Sequence, residues 1–139
     1  MNMMVAHNSN TLPGDDSGKQ VREAVAANTN TPMDVLAVLA TDESATVREA
    51  VAKNTKTASS ILAQLAKDKD WRVRMAVAAS QNVLQSVLES LANDKDRYVR
   101  KTVARNPRTP IHALAILAKD EDLTDVDSRG LESVEGGKE

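Results

Sequence analysis

The chain has no cysteine. That excludes disulfides, thiolate metal sites and cysteine nucleophiles together, and it leaves the redox compartment open. Aromatic residues are nearly absent: Trp71 and Tyr98 stand alone, with no phenylalanine. The core must therefore come from Leu, Val, Ile and Ala. Such side chains let helices approach closely but do not line a large aromatic ligand pocket. No apolar run approaches the roughly 20 residues that cross a bilayer. The opening stretch, MNMMVAHNSN, lacks a basic region followed by an apolar one, so it does not read as a secretory signal. Also missing are a serine elbow, a Walker loop, a GxGxxG run and zinc-ligand spacing. These absences point to a soluble cytoplasmic protein of one domain, with no cofactor, no metal and no catalytic residue.

What is present is repetition. Residues 21–31 read VREAVAANTNT and residues 47–57 read VREAVAKNTKT. The period is 26 residues and it holds four times. Val21, Val47, Val73 and Val99 are in register, and so are Arg22, Arg48, Arg74 and Arg100. Leu36, Leu62, Leu88 and Leu114 follow, then Leu39, Leu65, Leu91 and Leu117, and each unit closes on Asp42, Asp68, Asp94 or Asp120. A fixed period in this range marks a solenoid, whose units bury their apolar faces against one another.

Each unit carries two short helical patterns. Val47, Ala50, Val51 and Asn54 fall on one helical face, as do Ile61, Leu62, Leu65 and Ala66. Ser44, Asp70 and Asp96 precede the first helix as N-caps. Thr31-Pro32 and Thr109-Pro110 predict a threonine N-cap and a proline at the first helical position of the second helix. Asn28, Asn54 and Asn106 predict a left-handed terminator of the first. Helices of two or three turns do not persist alone in water, so stacking has to hold them. The expected fold is all-α: a right-handed solenoid of about four paired-helix units over residues 19–119. Residues 1–18 precede it. MNMMVAHNSNT aligns loosely with the unit, and whether it is a degenerate cap stays open. Residues 120–139 are acidic and read as a disordered tail.

The unit VR-x-AVA-x-N-x-x-TP-x-x-x-L-x-x-LA-x-D resembles the leucine-rich repeat variant family, a cousin of HEAT-type repeats. The best stretch is VARNPRTPIHALAILAKDED, residues 103–122. The resemblance implies a HEAT-like superhelix that serves as a binding scaffold. It also implies an Asp–Arg ladder, for which Asp16/Arg22, Asp42/Arg48, Asp68/Arg74 and Asp94/Arg100 offer pairs six residues apart. The family's founding member is associated with an iron–sulfur cluster held by cysteines outside the repeats. That property does not carry over to a chain without cysteine.

Charge is unevenly placed. Residues 19–119 hold 16 basic and 10 acidic residues, whereas 120–139 hold 2 basic and 8 acidic ones. A basic body thus precedes an acidic end, which is expected to compete with the partner for the basic units. Repeat-stacked carboxylates lie too far apart to share one ion at calcium-ligand distances. His7 and His112 have no partner visible in the sequence. Trp71 and Tyr98 both open a VR helix, within DKDWRVR and DKDRYVR. Aromatic and arginine side chains are the types enriched at binding hot spots. The expected partner-binding residues are Trp71, Arg72, Met75, Arg97, Tyr98, Lys101 and Arg105, along the concave face. The expected partner is a protein. Nucleic acid bound by the third and fourth units is the alternative, and end-to-end self-association is a third reading.

Overall fold

The 26-residue period becomes a period of helix pairs. The computed structural model describes residues 17–123, which form eight α-helices and no strand. They are α1 Ser17–Ala27, α2 Met33–Leu39, α3 Ala45–Lys53, α4 Ser59–Leu65, α5 Trp71–Ala78, α6 Gln85–Leu91, α7 Arg97–Arg105 and α8 Ile111–Leu117, followed by a 3₁₀ turn, Glu121–Leu123. The expectations for residues 1–16 and 124–139 lie outside the described residues.

The odd-numbered helices pack in chain order, α1 on α3, α3 on α5 and α5 on α7. Helices α2, α4 and α6 each touch the odd helix before and the odd helix after them. The core is aliphatic, as composition requires. Val47, Val51, Val73, Val77, Val99 and Val103 are fully buried, together with Leu36, Leu62 and Leu88. Each such side chain contributes about 1.5–3 kcal/mol on burial, which is what lets helices of seven to eleven residues persist. The register alone does not ensure burial. Val21 and Val25 share the columns of Val47 and Val51 but are exposed, because α1 has another odd helix on one side only among the described residues.

The arginine column is a ladder, but its rungs differ from the expected pairs. Each carboxylate partner lies 20 residues after the arginine, not six before it. Arg48 grips Asp68 through Nε at 2.7 Å and Nη2 at 3.1 Å. Arg74 grips Asp94 in the same way, and Arg22 pairs with Asp42. Arg100 takes both Asp120 and Asp122. The aspartate six residues earlier contributes only its backbone carbonyl, which accepts from Nη1 of Arg48, Arg74 or Arg100 at 2.8 Å. The guanidinium of Arg48, Arg74 or Arg100 therefore clamps the end of its own unit to the end of the one before. Each carboxylate also caps the next turn, accepting from the N–H of Ser44, Asp70, Asp96 or Asp122. The side-chain hydrogen bond to aspartate holds Arg48, Arg74 and Arg100 above the ordinary arginine pKa, so these cations stay charged at any working pH. Residues 120–123, expected to begin a disordered tail, instead hold Arg100 and touch α7.

Two boundary assignments also change. Asn54 and Asn106 cap their helices in extended conformation, with φ of −69° and −76°, not in the left-handed region. Their value lies in the side chain. Asn54 Nδ2 reaches the preceding unit and donates to the carbonyls of Ala26 at 2.8 Å and Asn28 at 3.0 Å. Asn106 does the same to Ala78 and Ser80. The residues before Pro32 and Pro110 are not N-caps, because the prolines themselves hold that position. Thr31, Thr57 and Thr109 instead donate their hydroxyls back to Val25, Val51 and Val103, closing the end of the preceding helix.

Candidate functional site

Aspartate caps set the geometry at the start of α5 and α7. Asp70 accepts from the Arg72 N–H at 2.9 Å, and Asp96 accepts from the N–H groups of Tyr98 and Val99. Each cap fixes the first turn of its helix, and so fixes where the neighbouring aromatic side chain emerges. The two aromatics consequently meet across the α5–α7 joint. The ring centroids of Trp71 and Tyr98 are 5.7 Å apart with a 35° tilt. The Arg97 guanidinium stands 5.4 Å from the Tyr98 ring centroid, in cation–π range. Trp71 keeps 38% of its surface exposed, so it covers the joint without being absorbed by it.

Of the seven expected residues, Trp71, Arg97 and Tyr98 form this cluster. Arg72 does not join it freely. Its guanidinium folds back on Asp70 through Nε at 3.1 Å and Nη2 at 2.9 Å. Beside Arg72, the Asp70 carboxyl is lowered to about 2. Met75, Lys101 and Arg105 lie further along the same helices. Positions four apart share a helical face, so α5 presents Trp71 and Met75 in a row that its C-cap residue Ala79 continues, and α7 presents Arg97, Lys101 and Arg105. An aliphatic and aromatic row therefore lies beside a row of three cations. None of the three forms an ion pair among the described residues. The corresponding row on α3 is Ala45, Glu49 and Lys53, with the last two joined in an ion pair at 3.1 Å.

Sequence reasoning missed a groove beside these rows. It has a volume of about 490 Å³ and runs between the C-terminal ends of α3, α5 and α7, with Met75, Ala79, Ser80 and Arg105 in its wall. A sequence signal for it existed. Ser80 and Val83 occupy the columns that hold Asn54 and Thr57 in the second unit and Asn106 and Thr109 in the fourth. Only the third unit breaks both columns.

Other candidates are plainer. His112, without a visible partner in sequence, has Glu89 at 2.9 Å on the neighbouring helix. No group of three His, Asp or Glu among the described residues is placed to hold a metal ion. No helix among them is long and apolar enough to cross a membrane.

Residues 97–122 match the family model described as leucine rich repeat variant. That segment spans α7, α8 and the aspartates that hold Arg100, and its family is the one the repeat resembles. Neither the curated proteins nor the solved structures contain a match to the chain.

Proposed function

We propose that the chain is a non-enzymatic helical-repeat scaffold whose four helix pairs, residues 19–119, stack as a right-handed solenoid. Its partner is another protein, bound through the face formed by α1, α3, α5 and α7. The observation that carries this reading is the partly exposed Trp71 packed against half-buried Tyr98, with Arg97 over the tyrosine ring, continued by the apolar row of α5 and the cationic row of α7. Aromatic and arginine side chains held rigidly on regular helices are what protein hot spots are made of. The ladder supports the reading from the other side. It commits four arginines to internal carboxylates, so the basic columns serve the fold and the patch stands apart from them. The test is affinity capture of candidate partners by the wild-type chain and by Trp71→Ala. Specific capture that Trp71→Ala abolishes supports the face, and capture indifferent to it rejects the face.

A second reading has its own observation. Arg97, Lys101 and Arg105, which form no ion pair among the described residues, make a cationic row on α7, which suits phosphates. Fluorescence anisotropy with mixed-sequence duplex DNA and single-stranded RNA, at about 50 and 200 mM salt, decides it, since phosphate contacts weaken steeply over that range. Salt-sensitive binding lost in an Arg97/Lys101/Arg105→Ala variant supports nucleic acid. No binding at low salt removes it.

A further inference from the structure

The asparagine ladder has one displaced rung. At the joint of the first and second units, Asn54 donates to the Ala26 carbonyl. At the joint of the third and fourth, Asn106 donates to the Ala78 carbonyl. At the joint between them the column holds Ser80, whose side chain is too short to reach across. Asn82 spans the joint instead, and it donates further along, to the carbonyls of Thr55 at 2.7 Å and Thr57 at 3.3 Å. The Ala52 carbonyl, equivalent to those of Ala26 and Ala78, is left without a hydrogen bond among the described residues. Ala52 is almost fully buried, at 1% exposure. A buried acceptor without a donor is costly, and departures from a local rule are expected at functional sites.

The groove lies where the rung is missing. Ala52, Met75, Ala79 and Arg105 all line it. It thus combines an apolar seat with a cation, at the end of the row that begins with Arg97.

We propose that this groove between the second and third units is a docking site for an acidic peptide segment of a partner protein. An apolar side chain of the peptide sits against Met75 and Ala79, and carboxylates face Arg105, Lys101 and Arg97. This inference rests on the scaffold reading above and names the partner's chemistry. Charge complementarity to the three cations calls for an acidic partner, and the apolar row beside them, which a phosphate backbone does not need, favours a peptide over nucleic acid.

The experiment uses the full chain and a phage-displayed library of random 12-residue peptides. Recovered peptides are synthesised and their affinities measured by anisotropy against wild type, Ser80→Asn, Arg97/Lys101/Arg105→Ala and Trp71→Ala. Ser80→Asn is the decisive variant. It places the ladder residue back in its column, where its amide fills the groove and takes the Ala52 carbonyl, so the chain keeps its fold, which circular dichroism and the thermal midpoint check. The expected result is a set of net-acidic peptides with an apolar residue. Ser80→Asn weakens them about tenfold or more, equivalent to about 1.4 kcal/mol, and the triple variant removes their salt dependence. Neutral or basic peptides overturn the inference, as does an affinity unchanged in Ser80→Asn. Recovery of no peptide also overturns it, as does nucleic acid binding through the same three cations without peptide binding. Peptides lost with Trp71→Ala but indifferent to Ser80→Asn overturn the groove and leave the wider face standing. Peptides indifferent to both overturn the groove and count against the face.

Discussion

Arg74 and Asp94 are twenty residues apart in the chain and joined by two hydrogen bonds, Nε to Oδ2 at 2.8 Å and Nη2 to Oδ1 at 3.1 Å. Their side chains keep only 8% and 9% of their surface exposed. The third guanidinium nitrogen, Nη1, donates to the Asp68 carbonyl, so one side chain ties together the ends of two units. Removing one partner of such a pair leaves the other buried and uncompensated. Arg74→Met is therefore expected to cost about 3 kcal/mol. Urea denaturation monitored by circular dichroism measures it, and a loss under about 1 kcal/mol would show that the clamp contributes little.

The same ladder ends on two aspartates with different exposure. Asp120 is mostly covered and Asp122 is 61% exposed. Asp120→Ala is expected to destabilise by about 1–3 kcal/mol, the cost of leaving the mostly buried Arg100 without its main acceptor. Asp122→Ala should stay within about 0.5 kcal/mol, as exposed substitutions do. Equal effects at the two positions would contradict the assignment of Asp120 as the structural partner.

The partner of each arginine was not legible in the sequence, and the reason is the repeat itself. The aspartate six residues before Arg48 and the one twenty residues after it belong to the same column of a 26-residue repeat. Spacing cannot choose between them; only the path of the chain around each helix pair can. The helices were legible because Val, Leu and Ala recur at helical spacing and because Asp70 and Asp96 cap as their type suggests. The role of Asn54 and Asn106 was not, since a residue that ends a helix in extended conformation looks in sequence like one that ends it left-handed. In the candidate site, Trp71, Arg97 and Tyr98 were legible as residue types at helix starts. Arg72 turned out to be engaged by Asp70, a local contact over two residues. The groove went unread because its signal is a departure from the pattern, at Ser80 and Val83, rather than an instance of it.

The asparagine rungs give opposite expectations for two substitutions. Asn106→Ala strips the donor from the Ala78 and Ser80 carbonyls and should cost about 1–3 kcal/mol. Ser80→Asn adds the missing rung and should stabilise by about 0.5–1.5 kcal/mol. Thermal unfolding of both variants against wild type checks the pair. A destabilised Ser80→Asn would mean that the column does not accept asparagine at this joint.

Acid reports on Asp70. Its folded pKa of about 2, set first by the Arg72 side-chain hydrogen bond, lies below the ordinary value of 3.8. The folded state therefore favours the carboxylate. The resulting stability is fully present above about pH 4 and is lost as the pH falls through about 2. Half of the Arg72 side chain is exposed, so solvent screening weakens the effect. Asp70→Asn, which preserves the cap, should differ from wild type at pH 5 and converge on it near pH 2. A difference that persists at pH 2 would assign the effect to something other than ionisation.

The most direct test of the binding face uses the chain's single tryptophan. Trp71 stands at the head of the α5 row, partly exposed and against Tyr98. Its emission is measured while a peptide recovered from the library is titrated in, with Lys101→Glu as the comparison. The expected result is a shift to shorter wavelength that saturates with binding, and a markedly weaker titration in Lys101→Glu. Binding that leaves Trp71 emission unchanged, or that Lys101→Glu does not weaken, would place the partner elsewhere on the chain and rule out this face.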